Sequence, residues 1–206
     1  MRCVTTVVVA AESVILLGHR VSLVCQSPTC SRAEKLVYAY IASPCRAFRC
    51  GIVWGDKGLY EVFLTPREAT TSSLPPLIRK RWPHVRPSTV LNQTYNTAPV
   101  NVELPEQARA TLVLSGTAFQ NQVWRTLLDI PMGETRTYAD IARAIGRPRA
   151  WRAVANAVAA NPLLCLVPCH RVVPRQGGAG NYRYGAELKR RLLAQEGICF
   201  PDKGAP

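Results

Sequence analysis

Apolar residues recur at helical spacing through the second half of the chain. Thr117, followed three residues later by Gln120, has the form of a capping box and predicts the start of a helix. The apolar positions of this helix recur every four residues, at Phe119, Val123 and Leu127. Ile130 and Pro131 end the pattern, so we expect the helix to stop there.

Two shorter helices are predicted next. Thr137 and Asp140 cap the first, which ends at Gly146, and Pro148 favours the start of the second, which runs to Asn161. The second helix turns small apolar residues inward: Ala150, Val154, Ala157 and Val158. Its polar residues share another face: Arg149, Arg152 and Asn156. The pair has the outline of a helix-turn-helix, and the alternative is an ordinary amphipathic pair with solvated arginines.

A cysteine and a histidine stand side by side in NPLLCLVPCHRVVP, residues 161–174. Cys169 follows Pro168, and His170 precedes Arg171. A thiol is an effective nucleophile only as the thiolate, which a neighbouring imidazole or cation favours. Adjacent side chains of an extended segment point apart, so we expect a tight turn or a bridging water to connect Cys169 with His170. The alternative is an inert buried thiol.

The last predicted helix, AELKRRLLAQEG at residues 186–197, carries a carboxylate on its apolar face. Leu188, Leu192 and Glu196 lie four residues apart and therefore share one side of the helix. A buried carboxylate needs a partner, and His170 is the only histidine in this half of the chain. We therefore predict a contact between Glu196 and His170. The alternative is a frayed last turn in which Glu196 meets only water.

The first half of the chain favours strands. The runs LVYAYIAS (36–43) and FRCGIVWGDKGLYEVFLT (48–65) are rich in β-formers, and residues 55–58 predict a hairpin turn. Prolines between residues 75 and 105 indicate a surface connection that carries the basic segment RKRWPHVR, residues 79–86. We expect a buried strand or a loose extension within residues 1–36. A signal peptide is the alternative there, although Glu12 interrupts its apolar run.

Composition and charge point to a polyanionic partner. The 206 residues carry a net charge of +13, and 48% of them are hydrophobic, which is enough for a core. Between Gly133 and Gly197, eleven Arg or Lys stand against four Asp or Glu, a net charge of +7. Nucleic acid is the simplest partner, and a solvated basic face is the alternative. No apolar run reaches the length of a membrane span, so we expect no membrane partner.

The eight cysteines favour reduced thiols in a cytoplasmic or nucleoid protein over a disulfide framework. The chain contains no CxxC pair and is long enough to build its own core. A structural zinc in the first half stays open, although no spacing supports it. Its ligands would come from Cys3, Cys25, Cys30, Cys45, Cys50, His19 and His84.

Three stretches together resemble the O6-alkylguanine-DNA alkyltransferases. They are GTAFQNQVWRTLLDIPMGETRTYADIARAIGRPRAWRAVANAVAANP (116–162), VPCHRVV (167–173) and GNYRYGAELKRRLLAQEG (180–197). The resemblance implies a DNA repair protein that moves the alkyl group of O6-alkylguanine, and of O4-alkylthymine, onto its own cysteine in a single turnover. It implies Cys169 as the acceptor, His170 as the water-mediated base and Glu196 as the group that orients it. Asn161 would brace the turn that links the recognition helix to the reactive loop, and Tyr138 would donate a proton to the leaving guanine.

The resemblance also implies how the protein meets double-stranded DNA. Arg152 would replace a flipped nucleotide in the stack, with the helix-turn-helix in the minor groove. Further contacts to DNA are expected from Thr137, Arg147, Arg149 and Ala153. The base pocket would have walls from Val158, Leu164 and Tyr182 and a lid at Tyr184. The carbonyls of Cys169 and Val172 would accept from the guanine amino group, and the amide of Arg183 would donate to O6. No metal and no cofactor are expected.

The implied fold is α+β with two domains. Residues 37–112 would form an antiparallel-sheet, ribonuclease H-like α/β domain, and residues 113–200 an all-α, winged-helix-like helix-turn-helix domain. Residues 1–36 would be an extension and residues 201–206 a tail. We expect a monomer in the cytoplasm, associated with the nucleoid, or in the nucleus of a eukaryote.

Two other functions stay open on the residues alone. A Cys-His-Glu hydrolase would turn over many times and needs no basic helix. A helix-turn-helix regulator or lesion sensor would bind DNA without chemistry, although lesion sensors of this type lack the acceptor thiol that Cys169 provides. Trp151 departs from the family pattern, where a small residue usually precedes the arginine that corresponds to Arg152.

Overall fold

A computed structural model describes residues 3–8, 14–16, 19–21, 36–41, 48–55, 58–66, 74–87 and 111–199. The chain divides into two compact units, one of residues 5–114 and one of residues 115–206 together with residues 1–4. Within the described ranges, no helix is long and apolar enough to cross a bilayer. The α+β class is confirmed, because helices and a mixed sheet both occur.

A six-stranded sheet dominates the first unit. The strands of this part of the chain are β1 (Cys3–Val8), β2 (Val14–Leu16), β3 (His19–Val21), β4 (Val37–Ile41), β5 (Phe48–Gly55), β6 (Gly58–Pro66), β7 (Arg86–Pro87) and β8 (Thr111–Gly116). The order across the sheet is β1-β8-β6-β5-β4-β7, and β2 pairs with β3 as a separate hairpin. Within residues 1–36, where a buried strand or a loose extension was expected, the structure has the strand β1 at the edge of the sheet.

The sheet is mixed, so the prediction of an antiparallel sheet was only partly right. Strands β4, β5 and β6 form the predicted antiparallel meander, with Gly55 opposite Gly58 at the hairpin. Strand β7 pairs in parallel with β4, and β8 pairs in parallel with β6. Parallel neighbours need a long connection, and 44 residues separate the end of β6 from the start of β8 along the chain.

The basic segment at residues 79–86 is not simply a surface connection. Helix α1 (Pro76–Arg81) occupies its start and buries Ile78. Glu61, which is 0% exposed on β6, accepts hydrogen bonds from Arg81 at 2.8 Å and from the indole of Trp82 at 2.6 Å. A buried carboxylate requires such partners, so this segment serves the core of the first unit.

The second unit contains α2 (Ala118–Leu128), α3 (Tyr138–Ala144), α4 (Trp151–Ala159) and α5 (Ala186–Gln195). The predicted capping box at Thr117 is present, and the predicted cap at Thr137 is also a capping box. Helices α3 and α4 pack against each other and are joined by residues 145–150, as the helix-turn-helix prediction requires. Helix α4 begins at Trp151, because Pro148 lies in a turn closed by the Ala150 amide and the Arg147 carbonyl at 2.8 Å.

The second unit is not all-α. Strands β9 (Arg136–Thr137) and β10 (Val172–Val173) form a short parallel pair. Val172 and Val173 are buried, and their backbone groups need hydrogen-bond partners away from water. This pairing brings the start of α3 beside the segment that follows Cys169 and His170.

Candidate active site

The segment that carries Cys169 is a buried loop that ends in a single helical turn. Residues 161–170 are all buried, and Cys169–Arg171 form a 3₁₀ turn that begins after Pro168. The amide of Arg171 donates to the carbonyl of Pro168 at 3.0 Å. The tight turn expected between Cys169 and His170 is therefore present.

Asn161 holds this loop from within. Its side-chain amide donates to the carbonyls of Leu163 at 3.2 Å and Val167 at 2.9 Å, and its side-chain oxygen accepts from the amide of Leu163 at 3.0 Å. These bonds satisfy buried backbone groups and fix the path from the end of α4 to Cys169. Cys165, in the same loop, has φ +64°, a left-handed conformation that is strained for a residue with a side chain.

His170 and Glu196 meet as predicted. Nε2 of His170 lies 2.8 Å from Oε1 of Glu196, which caps the C-terminus of α5. Arg171 donates to the same carboxylate, from Nε at 2.9 Å and from Nη2 at 3.0 Å. Its Nη1 also donates to the carbonyl of Ile130 at 2.6 Å. Glu196 is thus held in place by two basic side chains that follow Cys169 directly.

The electrostatics keep Glu196 ionised and His170 neutral. Burial alone would raise the pKa of Glu196, but hydrogen bonds from His170 and Arg171 outweigh it and lower the pKa to about 2. Burial lowers the pKa of His170 below its ordinary value, although the carboxylate of Glu196 opposes this effect. The ring of His170 therefore donates its Nε2 proton to Glu196 and presents a lone pair at Nδ1. Nδ1 is buried and has no hydrogen-bond partner among the described residues.

A pocket opens beside Cys169, and its volume of about 380 Å³ includes space that is open to solvent. It is lined by most of the residues that were predicted to act on or surround a base, and by Asn161, which was predicted to brace the loop. The former are Tyr138, Val158, Leu164, Cys169, Tyr182, Arg183 and Tyr184. It also contains residues that were not predicted: Ala155, Ala159, Asn181 and Lys189. Val172 does not line the pocket, and its carbonyl accepts a hydrogen bond from Lys189.

Two tyrosines line the pocket together with Cys169. The hydroxyl of Tyr182 lies 3.6 Å from Sγ of Cys169. Burial raises the pKa of Tyr138 above its ordinary value, and negative charge on Cys169 adds to the effect. Both phenols are therefore protonated at neutral pH and can donate.

The predicted DNA contacts lie mostly on the surface. Arg147, Arg149, Arg152 and Ala153 are exposed around α4. The guanidinium of Arg152 stands 4.9 Å from the ring centroid of Trp151, and that of Arg147 stands 5.6 Å from the ring centroid of Phe119. The hydroxyl of Thr137 caps α3, so its first task is structural.

Sequence reasoning missed Lys189 and Arg171. Lys189 lies three residues before Leu192 and four before Leu193, so it borders the apolar face of α5, but this spacing alone does not show that a lysine is enclosed there. Arg171 follows the Cys-His pair directly and could have been considered as a second partner of Glu196. No group of three or more candidate metal ligands occurs within the described residues; Cys25, Cys30 and Cys45 lie outside them.

Residues 118–198 match the family described as 6-O-methylguanine DNA methyltransferase, DNA binding domain. The chain is 60% identical over 82 residues to a probable methylated-DNA--protein-cysteine methyltransferase of Acanthamoeba polyphaga mimivirus, covering 40% of this chain and 54% of the relative. It is 36% identical over 167 residues to the bifunctional transcriptional activator/DNA repair enzyme Ada of Escherichia coli, covering 79% of this chain and 46% of the relative. The chain therefore spans about half the length of these curated relatives.

Solved structures match over more of their length. The chain is 33% identical to Mycobacterium tuberculosis OGT in complex with DNA, with a TM-score of 0.55, covering 78% of this chain and 92% of that one. It is 31% identical to the O6-methylguanine methyltransferase of the same organism, with a TM-score of 0.56, covering 82% of this chain and 96% of that one.

Proposed function

Because the chain belongs to the O6-methylguanine-DNA methyltransferase family, we propose that it repairs DNA by moving the alkyl group of O6-alkylguanine onto Cys169. The observation that carries this proposal is the 2.8 Å contact between buried His170 and part-buried Glu196, with His170 next in sequence to a pocket cysteine. The names of the relatives support the reaction class, and the basic exposed surface around α4 supports duplex DNA as the partner.

In the proposed mechanism, His170 removes the proton of Cys169 through one bridging water. The carboxylate of Glu196 holds the ring in the tautomer whose Nδ1 accepts that proton. The thiolate attacks the alkyl carbon, forming a carbon–sulfur bond as the bond from that carbon to O6 of guanine breaks. Tyr138 supplies a proton to the departing purine. The protein as a whole therefore gains the alkyl group and gives one proton to the base, while the thiol proton stays on His170.

Access to the base requires it to leave the DNA stack, because the alkyl carbon is shielded inside a duplex. Arg152 is exposed on α4 and fills the gap left by the base. The α4 surface is also small at Ala153, which permits close approach in the minor groove. Further contacts to the backbone come from Thr137, Arg147 and Arg149.

The pocket holds the flipped base between apolar walls. Val158, Leu164 and Tyr182 supply these walls, and Tyr184 stands at the opening. The carbonyl of Cys169 accepts from the guanine amino group, and the amide of Arg183 donates to O6. Val172 was expected to supply a second carbonyl acceptor, but it lies outside the pocket lining and its carbonyl accepts from Lys189 instead.

The thioether product contains no leaving group, so each protein acts once. The same geometry serves O4-alkylthymine, which presents an alkyl carbon on an equivalent exocyclic oxygen. A monomer suffices for this reaction, since all proposed groups come from one chain. The ribonuclease H-like and winged-helix-like assignments, the domain limits 37–112 and 113–200, and the cytoplasmic or nuclear location stay predictions.

Incubation with duplex DNA bearing labelled O6-methylguanine tests the proposal. We expect one methyl group per protein, found on Cys169 by fragment mass spectra, and no transfer by Cys169→Ala. Cys199→Ala is the matched control, because Cys199 is an exposed cysteine of the same unit and should not affect transfer. A methyl group on Cys165, or many turnovers per protein, would contradict the assignment; the second result would favour a hydrolase.

A further inference from the structure

Cys169 has a second set of neighbours besides the His170–Glu196 pair. They are a hydrogen-bond donor and a cation, whereas the pair consists of a base and a carboxylate. The hydroxyl of Tyr182 lies 3.6 Å from its sulfur, within hydrogen-bond range for sulfur. The pKa of Tyr182 is well above its ordinary value, because burial and negative charge on Cys169 oppose its ionisation. The phenol thus keeps its proton, and toward a thiolate it can only donate.

Behind Tyr182 lies a buried cation. Lys189 is 1% exposed, and its ammonium group stands 5.7 Å from the ring centroid of Tyr182. It donates to the carbonyl of Val172 and forms no ion pair with any carboxylate in the described part of the chain. A buried lysine without a counter-charge is costly, so a negative group is expected close by.

The thiolate of Cys169 is the negative group that fits. Cys169 and Lys189 line the same pocket. Burial lowers the pKa of Lys189 to about 8, and negative charge on Cys169 opposes this effect. Each charge therefore favours the other, while the ammonium still exists at neutral pH.

We propose that Tyr182 and Lys189 form a second arm on Cys169, distinct from His170 and Glu196. Tyr182 acts as a catalytic residue that donates a hydrogen bond to the thiolate, and Lys189 acts as a positioning residue that supplies positive charge through the pocket and fixes the ring of Tyr182. The first arm removes the proton from the sulfur, and the second stabilises the charge that remains. This inference rests on the proposed function only in taking Cys169 as the reactive thiol.

Several other groups around the thiol titrate or carry charge, and they are unchanged when only Lys189 or Tyr182 is substituted. They are His170, Arg171 and Glu196 at the turn and the end of α5, Tyr138 at the start of α3, and Cys165, Arg183 and Tyr184 in the adjoining loops.

The test measures carbamidomethylation of Cys169 by iodoacetamide as a function of pH, followed by peptide mass spectrometry on the full chain. The reagent forms a carbon–sulfur bond with the thiolate and releases iodide, and it needs no DNA. Lys189→Met removes the charge at similar length, and Tyr182→Phe removes only the hydroxyl. At pH 7 we expect each variant to react about tenfold more slowly than wild type. For Lys189→Met, the difference in rate from wild type should disappear as pH rises through about 8, because wild-type Lys189 itself loses its charge there.

Arg190→Met is the matched control, because it removes an exposed positive charge from the same helix, and it should follow the wild-type profile. The second arm would be overturned if the difference in rate between Lys189→Met and wild type stayed equal at every pH. Wild-type profiles for both variants would overturn it as well. If Lys189→Met fails to fold, the Tyr182→Phe profile decides alone. Failure of methyl transfer from DNA by the wild type would instead count against the proposed function, since iodoacetamide reports on the thiol independently.

Discussion

His170 and Glu196 are 26 residues apart in the chain, yet Nε2 of one lies 2.8 Å from Oε1 of the other. The contact joins the turn at residues 169–171 to the C-terminus of α5. Arg171 donates twice to the same carboxylate, so Glu196 holds the imidazole and also attaches the end of α5 to this turn. Changing Glu196 should therefore affect reaction rate and stability together.

Glu196→Gln keeps the size of the side chain and removes its charge. We expect methyl transfer to slow by about 100-fold, because the imidazole loses the partner that sets its tautomer. We also expect a loss of about 2 kcal/mol in the free energy of unfolding, from weaker bonds to Arg171 and His170. Single-turnover kinetics and denaturant titration measure the two effects. Glu187→Gln is the control on the same helix, because its exposed ion pairs contribute little.

Glu196 should also make stability depend on acid pH. Its pKa is about 2 in the folded protein against the ordinary 4.5, so its carboxylate favours the folded state above pH 4.5. This contribution is lost as pH falls from 4.5 toward 2. Denaturant titrations across this window should show a smaller decline for Glu196→Gln than for wild type. Parallel curves for the two proteins would show that other carboxylates control acid unfolding.

The contact of Glu196 with His170 could be predicted because helical spacing places Leu188, Leu192 and Glu196 on one face. Lys189 escaped prediction because a lysine on a helix usually reaches solvent, and only three-dimensional packing shows it enclosed beside a thiol. The parallel strands β7 and β8 escaped for another reason. Their partners are distant in the chain, and alternation of residues within a strand does not encode the direction of pairing.

Arg152→Ala should separate reaction in duplex DNA from reaction with a free base. We expect repair of O6-methylguanine in duplex DNA to slow by about 10- to 100-fold, because only that reaction includes the cost of unstacking the base. Inactivation by free O6-benzylguanine should hardly change. Arg125→Ala removes an exposed arginine from α2 and serves as the control. Equal slowing of both reactions would mean that Arg152 does not take the place of the base.

Asn161→Ala should loosen the reactive loop. The variant loses three buried hydrogen bonds, to Leu163 twice and to Val167 once, and leaves their backbone groups without those partners. We expect the free energy of unfolding to fall by about 2 to 3 kcal/mol and transfer to slow, because Cys169 is less well positioned. Asn156→Ala is the control, since Asn156 is exposed on α4. If the two variants are equally stable, the bracing role of Asn161 is wrong.

Tyr184 should limit the size of the alkyl group that the pocket accepts. It lines the pocket beside Tyr182, with the two ring centroids 6.2 Å apart. The guanidinium of Arg183 stands 5.6 Å from the ring centroid of Tyr184. A benzyl group needs volume near this ring, and overfilling a packed site costs about 1 to 3 kcal/mol.

Tyr184→Gly should therefore raise the rate of inactivation by O6-benzylguanine about 10- to 100-fold relative to methyl transfer from DNA. Tyr184→Phe keeps the ring and should retain the wild-type ratio of the two rates. The ratio is the informative quantity, because a general loss of pocket order would slow both reactions. If Tyr184→Gly leaves the ratio unchanged, the ring of Tyr184 packs against Arg183 without restricting the pocket, and alkyl size is limited by the walls at Val158 and Leu164 instead.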